Sequence, residues 1–488
     1  METLKPSNKP QFWLKSRWFQ VFIILLCTMC ILCLSLNPET LAKLSLEAFQ
    51  GNSLLTPKES VQDALCDVHT LYHENQVKLN KKLSKLVQRT FFRIFKVDLS
   101  KECPFWPDDG QCALRDCSVC ACSEDEVPVL WRLGGNQETS SFLFKSSVAT
   151  CESSGGRDVL NDVDRNLGDA QFHKWREEDE DVWIIEDSDD SMIYVDLIAN
   201  PERYTGYQGV SATRVWRAIY NENCFLFADS CADQEVCSLQ QHHCKEQRVF
   251  YRLISGIHTS INMHIAKEYL FKTRWGPNVK LYQERVRQFP ERVENLYFAF
   301  AVILRAISKA MPLLLPEVYD YRTGNVTEDE ITSQVLRDVF SCSKLLTPNC
   351  LTFDERELFR APEGIFVQKQ FKEHFRNISR IMDCVGCEKC RLWGKLQFLG
   401  IGTALKILFD EPLLSLQHNE VSSLLNVLHR LSTSVMTVAY MERLLLFQRI
   451  REWSFVTCFI SVVGFVFMLC FRRSHWEREE LNHKMKSV

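Results

Sequence analysis

Apolar residues recur at three-to-four-residue spacing through most of the second half of the chain. This predicts amphipathic helices over 211–222, 246–272, 290–311, 328–340, 364–382, 387–409 and 418–451. In 246–272 the stripe is Phe250, Leu253, Ile254, Ile257 and Ile261. In 387–409 it is Leu392, Leu396, Leu399 and Leu405, with Pro412 just beyond, where a helix stop is expected. Residues 61–99 carry helical patterning rich in lysine, and few stretches alternate as strands do. The expected fold class is mainly α, a helical bundle with irregular, disulfide-stapled loops.

Two runs are apolar on every side. Residues 19–36 (FQVFIILLCTMCILCLSL) follow Lys5, Lys9, Lys15 and Arg17 and read as an uncleaved signal anchor rather than a cleaved signal peptide, whose apolar core is usually shorter. Residues 453–471 carry no charge and are followed at once by Arg472 and Arg473. At about 1.5 Å per residue this second run just spans a hydrocarbon core. The alternative, a buried core helix, is disfavoured by its all-round apolarity. Lys484 and Lys486 resemble a cytosolic dilysine retrieval signal. The organisation expected is a cytosolic tail and signal anchor or signal peptide over 1–37, a linker over 38–60, one lumenal domain over 61–452, a transmembrane helix over 453–471 and a cytosolic tail over 472–488. The basic flank of the first span puts the N-terminus in the cytosol.

Composition changes this picture in two ways. The net charge of −4 leaves no basic footprint for nucleic acid. The 21 cysteines suit an oxidising compartment better than the cytosol, and the sequons at Asn325 and Asn377 agree as glycosylation sites. Residues 103–128, broken by Pro104, Pro107, Gly110 and Pro128, read as a loop; 150–192 read as a polar, increasingly acidic surface segment.

The candidate chemistry lies in two cysteine clusters: Cys112-x4-Cys117 with Cys120 and Cys122 close behind, and Cys384-x2-Cys387-x2-Cys390. Three readings compete. A metal cage is one, since C-x2-C spacing occurs in zinc and iron–sulfur sites; an oxidising lumen favours disulfides over thiolate ligands, so no metal is expected. Structural disulfides are the second. They fit Cys387 and Cys390 poorly, because so small a loop removes little chain entropy. The third is a dithiol–disulfide relay, with Cys387 and Cys390 at a helix N-terminus that stabilises a thiolate, and Lys389, Arg391 and Lys395 adding positive charge. Cys112 and Cys117 would be the mobile partners. Gly400-Ile401-Gly402 faintly echoes a dinucleotide loop but lies within a helical pattern, and no serine–histidine–acid signature is present.

The words around these sites are similar to one family. Cys103-Pro-Phe-Trp106, Asp116-Cys117, Asp125-Glu-Val-Pro128, Asn200-Pro-Glu-Arg-Tyr-Thr-Gly-Tyr207, Phe250-Tyr-Arg-Leu-Ile-Ser-Gly256 and the run from Asn377 through Asp383-Cys-Val-Gly-Cys-Glu-Lys-Cys390 to Gln397 resemble the endoplasmic reticulum oxidoreductins, over roughly 61–435. The resemblance implies a helical FAD enzyme. It takes electrons from a reduced protein disulfide isomerase and passes them through FAD to molecular oxygen, giving hydrogen peroxide.

By motif, Cys112 and Cys117 would be the outer shuttle pair. Cys387 would exchange with it, and Cys390 would be the flavin-proximal member of the inner pair. Arg203, Thr205, Trp216, Ser255, His258, Arg292 and Arg305 would contact FAD. Their types agree: arginines fork onto a diphosphate, Trp216 offers a flat face, and Ser255 and His258 share one helix face. Without the resemblance, Trp216 reads as core and the arginines as surface or ion-paired.

The resemblance further implies a Cys103–Cys384 bond, a Cys224–Cys244 structural pair, and Cys122 and Cys151 as regulatory partners able to trap Cys112 and Cys117. The partner of Cys66, the role of Cys120 and the pairing of Cys231, Cys237, Cys342 and Cys350 are left open, and the C-terminal span departs from soluble family members. The alternative from another class is a membrane-anchored, disulfide-bonded adaptor of the lumen without turnover.

Overall fold

The computed structural model describes residues 79–106, 117–133, 183, 191–202, 210–223, 225, 245–271, 274–342, 355, 358–360, 364–410 and 416–485. Cys66, Cys112, Cys151, Arg203, Thr205, Cys224, Cys231, Cys237, Cys244, Cys350 and the first apolar run lie outside them. The chain divides into one compact unit over Lys58–Met441 and a second formed by Met1–Pro57 and Glu442–Val488.

The main unit is helical. Its elements are α1 (Asn80–Leu86), α2 (Thr90–Arg93), β1 (Ile94–Val97), α3 (Val129–Leu133), β2 (Ile193–Asp196), α4 (Val210–Asn221), α5 (Lys245–Lys267), β3 (Tyr269–Phe271), β4 (Arg274–Gly276), α6 (Val279–Tyr282), α7 (Pro290–Leu314), α8 (Val326–Phe340), α9 (Gly364–Ile381) and α10 (Glu388–Phe409), then the start of α11 (His418–Met485). A π-turn, Gln283–Arg287, joins α6 to α7, and a 3-10 turn, Met382–Cys384, joins α9 to the inner cysteines. The sheets are minor. β1 pairs antiparallel with β2, Ile94 opposite Asp196, and β3 pairs with β4, Tyr269 opposite Gly276.

The predicted helices are all present, with two changes of extent. The helix expected over 246–272 ends at Lys267, and the apolar residues after it form the β3–β4 hairpin. The helix expected over 418–451 runs on to Met485. Of the helical patterning over 61–99, residues 61–78 lie outside the described residues; over 79–97 it gives the short α1 and α2 and then β1, because Ile94–Val97 finds its partner about a hundred residues later.

The core is built where α7 packs against both α5 and α10, and α9 against α4, α5 and α10. Phe225, Phe250, Phe371, Phe375 and Phe398 interlock there, edge-to-face or tilted, with centroids 5.1 to 6.5 Å apart. The close approaches depend on glycine. A Cβ on Gly256 would stand 2.4 Å from the Asn295 carbonyl oxygen, and one on Gly400 would stand 2.7 Å from that of Ser423. Gly400 therefore serves a close helix crossing, and the Gly400-x-Gly402 pair lies inside α10 and not in a nucleotide loop.

Among the described residues, two helices are long and apolar enough to cross a membrane. One, α7, is mostly buried and is the core helix of this unit. The other is the late part of α11, where Trp453, Phe455, Phe459, Ile460 and Phe467 are all exposed, Trp453 by 70%.

Candidate redox and cofactor site

The inner cysteines sit where the sequence pattern placed them. Cys387 is the N-cap of α10 and Cys390 lies in its first turn; only 3% and 8% of their surfaces are exposed. Their environments differ. The Cys390 thiol hydrogen-bonds the Cys387 sulfur. The backbone amides of Cys390 and Lys389 also favour a charged Cys387 sulfur, and the Lys389 charge is near. Together these hold the Cys387 thiol below its usual range. Burial pushes Cys390 well above it. Cys387 is thus the nucleophile of the pair and Cys390 its protonated partner.

The other two expected cations are spoken for. Lys395 pairs with Asp383 at 2.6 Å, and Arg391 donates to the carbonyls of Val385 and Leu99. They brace the turn and not the thiolate.

Cys384 is bonded to Cys103, the pairing that the resemblance implied. Its sulfur is therefore not a thiolate ligand, which dismantles the C-x2-C-x2-C metal cage at its first member.

Cys117 is itself disulfide-bonded, and its sulfur lies 2.7 Å from that of Cys387. Having no proton to donate, Cys117 presents an electrophilic sulfur to a nucleophilic one. The segment that carries it is fastened down. The Lys389 N–H donates to the Cys117 carbonyl (3.0 Å) and the Val119 N–H to the Glu388 carboxylate (3.0 Å). The Cys120 N–H donates to the Asn200 side chain (2.8 Å) and the Cys122 N–H to the Tyr194 carbonyl (2.8 Å). The loop expected over 103–128 is thus irregular but anchored over its described second half. Cys122 is a poor nucleophile there, because burial, then Glu126 and Asp196, push its thiol up to about 12.

Among the expected FAD contacts, α4 and α5 bring Trp216 and His258 together in a parallel stack, centroids 3.7 Å apart. His258 Nδ1 shares a hydrogen bond with the Tyr220 hydroxyl (3.0 Å) and is held neutral, down to about 3, by burial and then by Arg292 and Arg285. Ser255, one turn earlier on α5, accepts from Asn295 (3.1 Å) and meets the hydroxyls of Tyr220 and Tyr251. Flat faces, hydroxyls and two guanidiniums in one place fit an aromatic ring system carrying a diphosphate.

Arg305 stands apart. Thirteen residues along α7 separate it from Arg292, about 20 Å of helix rise, on a nearly opposite face. It forks onto Glu355 at 2.6 and 3.0 Å beside a 620 Å³ cavity that Lys309, Phe359 and Phe409 also line. The two arginines do not converge on one diphosphate here.

Sequence reasoning missed Tyr220, Tyr251, Arg285, Glu388 and Asn200. Asn200, Tyr251 and Glu388 left a signal, each lying within one of the motifs quoted above; Tyr220 and Arg285 left none. Of the sequon asparagines, Asn325 is an exposed N-cap of α8, while Asn377 lies inside α9 and donates to Glu222 (3.0 Å).

Comparison with known proteins gives the family. The family model described as Endoplasmic Reticulum Oxidoreductin 1 (ERO1) matches residues 78–438. The chain is 44% identical over 387 residues to endoplasmic reticulum oxidoreductin-2 of Arabidopsis thaliana, covering 77% of this chain and 76% of that one. It is 37% identical over 434 residues to ERO1-like protein alpha of Homo sapiens, covering 79% and 90%. Among solved structures it is similar to that of Ero1p, described as a source of disulfide bonds for oxidative protein folding in the cell. The TM-score is 0.51 at 30% identity, covering 79% of this chain and all of that one.

Proposed function

Because the chain belongs to the endoplasmic reticulum oxidoreductin family, we propose that it is an FAD-dependent thiol oxidase of oxidative protein folding. In this reading it reoxidises protein disulfide isomerase at the lumenal face of the endoplasmic reticulum membrane, anchored there by residues 453–471 and by the first apolar run. The observation that carries the reading is the 2.7 Å approach of Cys117 to Cys387 at the N-terminus of α10. An adaptor without turnover has no use for a lowered thiol aimed at a disulfide.

The residues divide the work. One thiolate of a client dithiol attacks the Cys112–Cys117 bridge to form a mixed disulfide, and the second client thiol displaces it, so that the client leaves as a disulfide and Cys112 and Cys117 are left as thiols, Cys117 as the attacking thiolate. Cys117 then attacks Cys387 in the oxidised inner pair; the Cys387–Cys390 bond breaks and a Cys117–Cys387 bond forms. Cys112 closes the outer bridge again and releases Cys387 as the thiolate that the α10 terminus stabilises. Since Cys117 already touches Cys387, no swing of the whole pair is needed. A bound FAD would supply the two-electron oxidation of the inner dithiol, with oxygen as the final acceptor and hydrogen peroxide as the product. Trp216, His258, Ser255 and Arg292 are the residues that would hold it, with Arg203 and Thr205 joining them from the Asn200–Tyr207 motif. Arg305 would serve only a distant part of the cofactor. Cys122 and Cys151 keep their proposed regulatory role, Cys224–Cys244 its structural one, and Asn325 and Asn377 are the glycan acceptors.

The test is a visible absorption spectrum of the detergent-solubilised chain. Flavin bands that bleach with reduced isomerase and return with oxygen are expected. A folded, colourless protein that refuses added FAD would remove the oxidase reading.

A further inference from the structure

We propose that Asn200 and Glu388 are positioning residues of the thiol exchange, a two-point latch that holds the Cys117 segment against Cys387. The inference rests on the oxidase reading but adds residues with no assigned role. Asn200 is fully buried, and its side chain uses both amide hydrogens and its oxygen in hydrogen bonds. Its oxygen accepts from the Cys120 N–H (2.8 Å), and its Nδ2 donates to the Cys120 carbonyl (2.9 Å) and to Asp196 (3.0 Å). This makes a side chain imitate a strand partner for one residue of the segment. The Asn200 carbonyl accepts from the Trp393 indole (2.9 Å), and Trp393 stands on α10 six positions after Cys387. One residue therefore ties the shuttle segment to the helix that bears the inner pair.

Glu388 acts closer in. It is the first residue of α10, exposed, and its carboxylate takes the Val119 N–H while the next amide along takes the Cys117 carbonyl. The two latch points flank the reacting sulfur on its C-terminal side. A thiol exchange needs its three sulfurs near contact and in line, and a misplacement of about 1 Å costs up to a hundredfold in rate.

The test traps the exchange in the full-length, detergent-solubilised chain. In a Cys112→Ala, Cys390→Ala background, starting from the reduced chain, glutathione disulfide caps one of Cys117 and Cys387 and releases one glutathione thiolate. The other sulfur then attacks the capped one, a second glutathione thiolate leaves, and neither Cys112 nor Cys390 remains to resolve the new bond. The Cys117–Cys387 bond should accumulate and be read by peptide mass spectrometry, without flavin or oxygen. Adding Asn200→Ala or Glu388→Ala should slow its formation at least about tenfold. Glu388→Gln, which keeps an acceptor oxygen, should restore it. With Cys112 and Cys390 present, Asn200→Ala and Glu388→Ala should lower kcat for isomerase oxidation and leave KM near its parent value. Glu388 is exposed, so its variants fold even where Asn200→Ala does not. Trapping at the parent rate in Glu388→Ala and Asn200→Ala would overturn the latch. A parent chain that traps Cys117–Cys387 yet carries no flavin would instead overturn the oxidase reading and leave the latch standing.

Discussion

Trp216 and His258 lie face to face, their ring planes 17° apart. Burial and two neighbouring guanidiniums hold His258 neutral in this stack. The pair therefore presents an uncharged aromatic wall beside cationic Arg292. Trp216→Ala should lower flavin affinity about tenfold, the order expected for loss of one aromatic stack, while Trp216→Phe should retain most of it. The measurement is the ratio of flavin to protein absorbance after dialysis. An unchanged ratio in Trp216→Ala would place the flavin elsewhere.

The two glycine crossings separate structure from cofactor. Gly256→Ala forces a Cβ against the Asn295 carbonyl and the Ala299 side chain, and Gly400→Ala forces one against Ser423 and Val427. Each should cost about 1–3 kcal/mol of stability by overpacking. Gly256 adjoins Ser255 on the helix that carries His258, so its variant should also lose flavin. Gly400→Ala should bind flavin normally per folded molecule. Denaturant midpoints and flavin content, measured together, check this; equal flavin loss in both variants would show that the effect is global.

The helices were legible because each buries one stripe, as Phe250, Leu253, Ile254, Ile257 and Ile261 do in α5. The inner cysteines were legible for the same reason, standing just before the Leu392–Leu405 stripe. What escaped was non-local. The β1–β2 pairing joins segments about a hundred residues apart. The β3–β4 hairpin looked like more helix, because Tyr269, Leu270 and Phe271 continue an apolar pattern. The charges of Arg391 and Lys395 looked available to a thiolate, yet Lys395 spends its charge on Asp383. The docking of Cys117 is made by backbone amides, which no residue letter records. Arg292 and Arg305 looked equivalent until their places on α7 set them about 20 Å apart.

The Cys103–Cys384 bond joins positions 281 residues apart and ends on the turn just before Cys387. Replacing both cysteines by alanine should cost about 2–5 kcal/mol, the range for removing a native disulfide. It should also loosen the turn that presents Cys387, so isomerase turnover should fall by more than flavin content does. Chemical denaturation and oxygen consumption on the same preparation test both parts. A stability loss with turnover intact would make the bond purely structural.

Acid should destabilise this fold through its buried histidines. His264 is held down to about 3, His418 and His429 to about 4, in each case chiefly by burial. Their hydrogen bonds suit neutral rings: His264 with Ser434 (3.2 Å), His429 with Ser84 (3.1 Å) and His418 with the Phe91 carbonyl (2.9 Å). Unfolded, each titrates near 6.5. Below that pH the unfolded chain takes up protons that the native chain refuses. The stability these groups contribute is therefore complete above about 6.5 and is lost progressively as pH falls toward 4. Each histidine should steepen the fall by about 1.4 kcal/mol per pH unit well below 6.5. The urea midpoint should drop clearly between pH 7.5 and pH 5.5, and His429→Gln, which keeps a hydrogen-bonding end without the titration, should flatten the slope by one such step. A midpoint that does not move with pH in the parent chain would mean that these rings are hydrated enough to protonate in place, contrary to the packing around them.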